Sequence, residues 1–148
     1  MTSDGIETAD WDRVHELALD IVNASLAGDD AAEAGARTLL LSVLDEFDRK
    51  YGRKASLLAT RADYVESSED RERLFLAAYE EAERIGDDTN RGLIAHSLAE
   101  FYLDEIKDAE RGTTWLGLWR DHLGVEPDEY DREELSRLEG LLLDGGTA

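Results

Sequence analysis

The chain has 148 residues, 42% of them hydrophobic, and no cysteine, which excludes disulfides, a thiol nucleophile and a thiolate metal site. Its 36 acidic and 16 basic residues give a formal net charge of −20. A polyanion repels phosphates and anionic headgroups, so we expect it to bind neither nucleic acid nor a membrane surface. No apolar run approaches the roughly 18 residues of a membrane span. Residues 1–5 are too polar and acidic for a signal peptide, so a cytoplasmic location is expected.

The negative charge is spread along the whole chain. Residues 1–50 hold 12 acidic and 4 basic residues, residues 51–124 hold 16 and 10, and residues 125–148 hold 8 and 2. Such a surface attracts a basic protein partner electrostatically. Only 3 of the 16 bases are lysine, and a composition rich in acids and poor in lysine also suits a proteome adapted to high salt. The charge therefore supports two hypotheses, a basic partner or salt adaptation.

Apolar residues spaced three and four apart predict helices throughout, and glycine and aspartate mark their ends. No segment alternates with period two between turns, so no strand is predicted and the fold class is all-α. Asp29 or Asp30 caps the second helix, and Pro127 precedes the last. The seven predicted helices cover residues 8–28, 29–52, 53–66, 67–86, 87–105, 108–124 and 127–144.

Several side chains carry specific packing predictions. The apolar triplet at residues 39–41 predicts a centrally buried second helix. Gly35 and Gly92 lie inside helices, which indicates close helix packing at both positions. Trp11 is expected to lack cover, because no earlier helix precedes it. The remaining aromatic residues at helical spacing are expected in the core, namely Trp115, Trp119, Phe101, Tyr102, Tyr64 and Phe75.

Two predicted hairpins repeat at a spacing of 37 residues. The shift places Leu57 on Ile94, Thr60 on Ser97, Ala62 on Ala99, Asp63 on Glu100 and Tyr64 on Phe101. A repeated small-plus-aromatic hairpin is typical of a stacked α-solenoid.

These residues resemble tetratricopeptide (TPR) repeats. Leu98 and Ala99 followed by Tyr102 match the first helix of that motif, and Trp115 and Trp119 supply its second helix. The period is 37 instead of 34, Gly112 stands where alanine is usual, and the early Trp and terminal Pro are missing. The resemblance implies one domain, residues 1–148, built as a right-handed TPR-like solenoid. Its parts would be three hairpins, residues 8–52, 53–86 and 88–124, and a capping helix, residues 127–144.

The resemblance also implies a function, the binding of a peptide or protein in a groove lined by the first helices. The groove would be acidic, contain two histidines and suit lysine or arginine side chains through charge-assisted hydrogen bonds. We expect a monomer or homodimer that binds a basic protein. The sharpest version is an immunity or antitoxin-type protein that masks a basic toxin domain. The implied groove residues are Asp12, His15, Thr60, Asp63, Glu66, His96, Glu100 and Asp104.

Two alternatives stay open. The first is a scaffold or assembly module of a salt-adapted cell, with apolar contacts through Trp11 or the Trp119 region. The second is a helical-bundle metalloenzyme using His96, Glu100 and His15, of which His96 and Glu100 share a helix face at a spacing of four. The chain lacks a Glu-x-x-His motif and a glycine-rich phosphate loop. We therefore predict a non-enzyme with no catalytic residues, metal ligands or cofactor.

Overall fold

The computed structural model describes residues 1–146, and that part of the chain contains helices and no strand. The predicted all-α class is confirmed, as are the seven predicted helices. Apart from the end of the fifth helix, every predicted bound lies within two residues of the observed one. The helices are α1 Thr8–Leu26, α2 Asp30–Tyr51, α3 Ala55–Tyr64, α4 Ser68–Ile85, α5 Asp88–Glu100, α6 Ala109–Leu123 and α7 Glu129–Gly146, with a π-helical segment Phe101–Ile106 after α5.

Part of the acidic excess caps helices. The Asp29 carboxylate accepts a hydrogen bond from the backbone N–H of Ala32 at 3.0 Å, at the start of α2. Asp87 does the same for α5 and Asp108 for α6, each at 3.1 Å. Each cap satisfies a backbone donor that the helix cannot. These aspartates therefore have a structural role and are distinct from a binding surface.

The chain divides into two compact units, Met1–Glu81 and a second that begins at Ala82, so that the boundary falls within α4. In the first unit α2 packs against both α1 and α3. The core of this unit consists of Ile6, Val14, Leu17, Ile21, Leu40, Val43, Leu44, Phe47 and Leu57.

Residues before α1 belong to that core. The side chain of Ile6 is completely buried. The buried carboxylate of Asp4 accepts hydrogen bonds from the Ser56 N–H at 2.8 Å and from the Thr2 hydroxyl at 2.6 Å. Because Ser56 lies in the first turn of α3, Asp4 satisfies a free donor of a helix 52 residues away in sequence.

In the second unit α6 packs against α5 and α7, and α7 also contacts the π-helical segment. The prediction that α5 continues to about residue 105 is wrong, because π-type hydrogen bonds begin at Phe101. At the end of this segment the Tyr102 carbonyl accepts from the N–H groups of both Lys107 and Asp108. Lys107 adopts the left-handed conformation (φ 63°) that ends the segment.

Four of the six aromatic residues expected in the core are confirmed there. Trp119, Phe101, Tyr102 and Phe75 are buried, whereas Tyr64 and Trp115 are half-buried. Trp11 is half-buried against the core of the first unit, so the expectation that it lacks cover is wrong.

Two further packing predictions require correction. Leu39 of the apolar triplet is exposed, because successive side chains of an α-helix point about 100° apart and Leu40 of the triplet takes the position that faces the core. A Cβ atom at Gly35 would meet nothing within 4 Å, so close packing there is also wrong. At Gly92 it is confirmed, because a Cβ would meet the His122 ring at 2.1 Å.

Candidate functional site

The side of α1 that faces away from α2 carries an exposed apolar stripe. Leu19, Val22 and Leu26 are spaced three and four apart, so they share one helix face, and they are 56%, 50% and 82% exposed. His15, four residues before Leu19, extends the stripe and is also exposed. Isolated exposed apolar residues are ordinary, but a contiguous row on one helix is typical of a contact surface.

An acidic row lies beside this stripe. Asp12, Glu16 and Asp20 are spaced four apart, and all three are exposed. Within residues 1–146 no side chain forms an ion pair or hydrogen bond with them. Arg13, the one basic residue of α1, binds Glu46 of α2 at 2.6 Å. Its charge is thus already neutralised by α2. We call the row and the stripe together the α1 outer face: Asp12, His15, Glu16, Leu19, Asp20, Val22 and Leu26.

The other predicted groove residues of the first unit have mixed surroundings. Thr60 is half-buried, and its hydroxyl donates to the Ser56 carbonyl of its own helix at 2.7 Å. Asp63 is exposed on α3. Glu66, in the α3–α4 connection, borders an open depression together with Glu33 and Arg37 of α2. Of the predicted set in this unit, α1 brings Asp12 and His15 together on one surface.

In the second unit, four side chains form what we call the α5–α7 ionic cluster: His96, Glu100, Glu134 and Arg137. The Nε2 atom of His96 lies 2.7 Å from Oε1 of Glu134. The Arg137 guanidinium donates to both oxygens of Glu134, at 3.0 Å and 2.5 Å, and also to Glu100. The cluster therefore joins α5 to α7 through one cation that bridges two carboxylates.

Packing fixes one side of this cluster. The His96 ring lies against Trp119 of α6, with 4.6 Å between the ring centroids. The Glu134 side chain is 17% exposed, whereas that of Arg137 is 44% exposed. The Trp119 ring thus packs against His96 on the protein side, Glu134 is largely buried, and Arg137 covers the cluster on the solvent side.

The environment of Glu134 stabilises its charged form. Hydrogen bonds from Arg137, with a smaller contribution from His96, lower its pKa to about 2 against the opposing effect of burial. The pairing with Glu134 in turn raises the pKa of Arg137. Glu134 is therefore a carboxylate at neutral pH, so the hydrogen shared with it belongs to Nε2 of His96.

This shift predicts a pH-dependent contribution to stability. Because the folded pKa lies below the unfolded value of about 4.5, the contribution is complete above that value and declines as pH falls towards 2. We expect the difference in free energy of unfolding between wild type and Glu134→Gln to be larger at pH 7 than at pH 3 in urea titrations. In an Arg137→Gln background most of this pH dependence should disappear. A difference that stays constant across this pH range would contradict the assignment.

The spacing of His96 and Glu100 predicted that they share a face, and this is confirmed. Sequence reasoning did not find Glu134 and Arg137, which follow Glu100 by more than thirty residues on another helix. Their spacing of three on α7 was the available signal, but many acidic and basic pairs in this chain share it. Asp104 lies apart from the cluster's contacts, exposed and 4.0 Å from the Lys107 ammonium.

Compared with known protein families, curated proteins and solved structures, the chain matches none. Among the described residues no helix is both long and apolar enough to cross a membrane. The geometry thus defines a class, an all-α protein with an acidic surface and two distinct side-chain assemblies.

Proposed function

We propose that this protein is a non-enzymatic interaction module whose α1 outer face binds a basic, amphipathic segment of a partner protein. The observation that carries the proposal is the apolar stripe beside an unpaired acidic row on one helix. An amphipathic helix with lysine or arginine along one edge would bury its apolar face against Leu19 and Val22. Its charges would meet Asp12, Glu16 and Asp20.

Of the predicted groove residues, Asp12 and His15 are the best placed for this role. Both are exposed on α1, and among the described residues no cation pairs with Asp12. Glu100, in contrast, already accepts from Arg137, which would have to leave before a partner's arginine could bind. We therefore centre the interface on the first unit.

We propose further that the helices form a TPR-like repeat arrangement. Support comes from positions related by the spacing of 37 residues. Leu57 and Ile94 are each 1% exposed, and Ala62 and Ala99 are both fully buried. Thr60 and Ser97 each donate their hydroxyl to the carbonyl four residues before them. Equivalent environments at equivalent positions are expected of a structural repeat.

Within this class the sharpest version is a cytoplasmic immunity or antitoxin-type protein whose partner is a basic toxin domain. A net charge of −20 favours it, because masking a basic cleft requires negative potential. Association would then be fast at low ionic strength and slow at high ionic strength.

The test compares two variants of equal charge. Asp12→Asn, Glu16→Gln and Asp20→Asn together neutralise the acidic row. Changing Asp121→Asn, Glu126→Gln and Glu133→Gln together removes three exposed carboxylates elsewhere. Both triple variants have a net charge of −17. Tagged proteins are used to capture partners from the source lysate over a salt series. We expect the α1 variant to capture about tenfold less of a stoichiometric basic partner than wild type does. The control variant should capture as much as wild type.

Equal loss in both variants would show that net charge, and not the α1 outer face, drives capture. Photo-crosslinking from position 22 then tests contact directly, since Val22 lies in the centre of the stripe. The absence of a stoichiometric partner at any salt concentration would contradict the proposal.

Salt adaptation remains the second candidate function, because exposed carboxylates occur in both units. In that case the protein is a scaffold whose acidity serves solubility. Its stability should then collapse when salt is removed, since self-repulsion is no longer screened. A melting temperature unchanged at low salt would eliminate this alternative.

A further inference from the structure

The α5–α7 ionic cluster contains a set of metal-ligand atoms. His96 Nε2 and one carboxylate oxygen each of Glu100 and Glu134 all lie within 4.8 Å of one another. Bonds of about 2.0–2.2 Å to a shared ion would bring any two ligands within roughly 4 Å. Side-chain rotations that move each ligand atom by less than about 1 Å would bring the three atoms within bonding distance of one ion.

We propose that His96, Glu100 and Glu134 bind a divalent transition-metal ion of the Zn²⁺ class, in competition with Arg137. Arg137 donates to both glutamates in the structure, so it holds the place that the ion would take. A metal ion and this guanidinium cannot lie between the same two carboxylates. Binding therefore exchanges an internal cation for an external one.

The donor set determines which ion fits. One imidazole nitrogen and two carboxylates favour Zn²⁺ or Co²⁺ over Mg²⁺ and Ca²⁺, which prefer oxygen ligands alone. Three protein ligands also leave one position for water. His96 coordinates through the lone pair of Nε2, so the hydrogen now shared with Glu134 moves to Nδ1 or to solvent.

The surrounding packing makes the exchange feasible. The contact with Trp119 holds the His96 ring, and the spacing of four keeps Glu100 on the same face of α5. Because the Arg137 side chain is 44% exposed, it can rotate into solvent without disturbing the core. The cluster thus combines a nitrogen ligand, His96, whose orientation is fixed with a cation, Arg137, that can be displaced.

The competition makes the proposal testable by two substitutions with opposite effects. His96→Gln removes a ligand and should weaken Zn²⁺ binding by at least about 100-fold. Arg137→Gln removes the competing cation and should tighten it by about tenfold. The matched control, His15→Gln with His122→Gln, leaves His96 as the sole histidine and should bind as wild type does. Binding is measured by calorimetry with Zn²⁺ in excess Mg²⁺, which occupies non-specific carboxylates.

Trp119 provides an independent readout, because its ring touches that of His96. We expect saturable, equimolar Zn²⁺ binding accompanied by a change in tryptophan fluorescence, and circular dichroism that remains helical in every variant. Two results would overturn the proposal: no equimolar binding by either wild type or Arg137→Gln, or binding that His96→Gln leaves unchanged. Partner capture is measured separately, so failure here leaves the α1 interface untouched.

Discussion

Replacing Ile6 by alanine should destabilise the protein by about 2–5 kcal/mol, the range for truncating a fully buried aliphatic side chain. Ile6 lies before the first helix, yet it is 0% exposed and packs in the core of the first unit. The lost methyl and methylene groups would leave a cavity in the core that Ile6 shares with Val14 and Leu44. The cost would therefore exceed the transfer free energy of the removed atoms.

The matched control is Ile85→Ala, the same substitution at a position that is 43% exposed in α4. Its effect should stay below about 1 kcal/mol, because alanine also favours a helix. Free energies of unfolding from urea titrations at fixed salt distinguish the two. Equal effects would show that the segment before α1 contributes little to the core.

Gly112→Ala is the second substitution with a large expected effect, a net loss of about 1–3 kcal/mol. A Cβ atom at this position would lie 2.2 Å from Cδ2 of Leu103 and 2.6 Å from its Cγ. Leu103 is buried in the π-helical segment, so moving it away would disrupt its packing at a cost in free energy. This contact explains why an alanine side chain would not fit at position 112.

Gly117, on the same helix, is the control for Gly112. A Cβ atom there would meet nothing within 4 Å. Gly117→Ala should therefore stabilise α6 by up to about 1 kcal/mol through helix propensity alone. Thermal unfolding of the two single variants checks both signs. A stabilised Gly112→Ala would contradict the proximity of Leu103.

The helices of this protein could be predicted because their signals are local. Asp29, Asp87 and Asp108 precede three helices whose first-turn N–H groups they satisfy, and glycines with positive φ follow four helices, α1, α2, α4 and α6. The burial of Ile6 and the cap from Asp4 could not be predicted. The Asp4 cap depends on Ser56, 52 positions away, and the core that holds Ile6 includes α2 residues such as Leu40 and Phe47; no periodicity in residues 1–6 encodes either.

The candidate site shows the same division. The face shared by His96 and Glu100 follows from helix geometry, but Glu134 and Arg137 reach it only through the packing of α7. On α1 the sequence pattern indicated burial where the structure shows exposure. Val22 and Leu26 fit the helical periodicity of a core. In the structure α2 packs against the other side of α1, so both residues stay exposed and become candidates for partner binding.

The π-helical segment places a constraint on chain length. Phe101, Tyr102 and Leu103 are all buried, and the wider π-type turn, with more residues per turn than an α-helix, keeps three consecutive side chains closer to one side. Deleting one residue between Phe101 and Lys107 would restore α-helical hydrogen bonding and turn one of the three towards solvent. A substitution there changes the packing of one side chain, whereas a single deletion would change the register of the whole turn. The number of residues in this segment is therefore constrained as strongly as their chemical type.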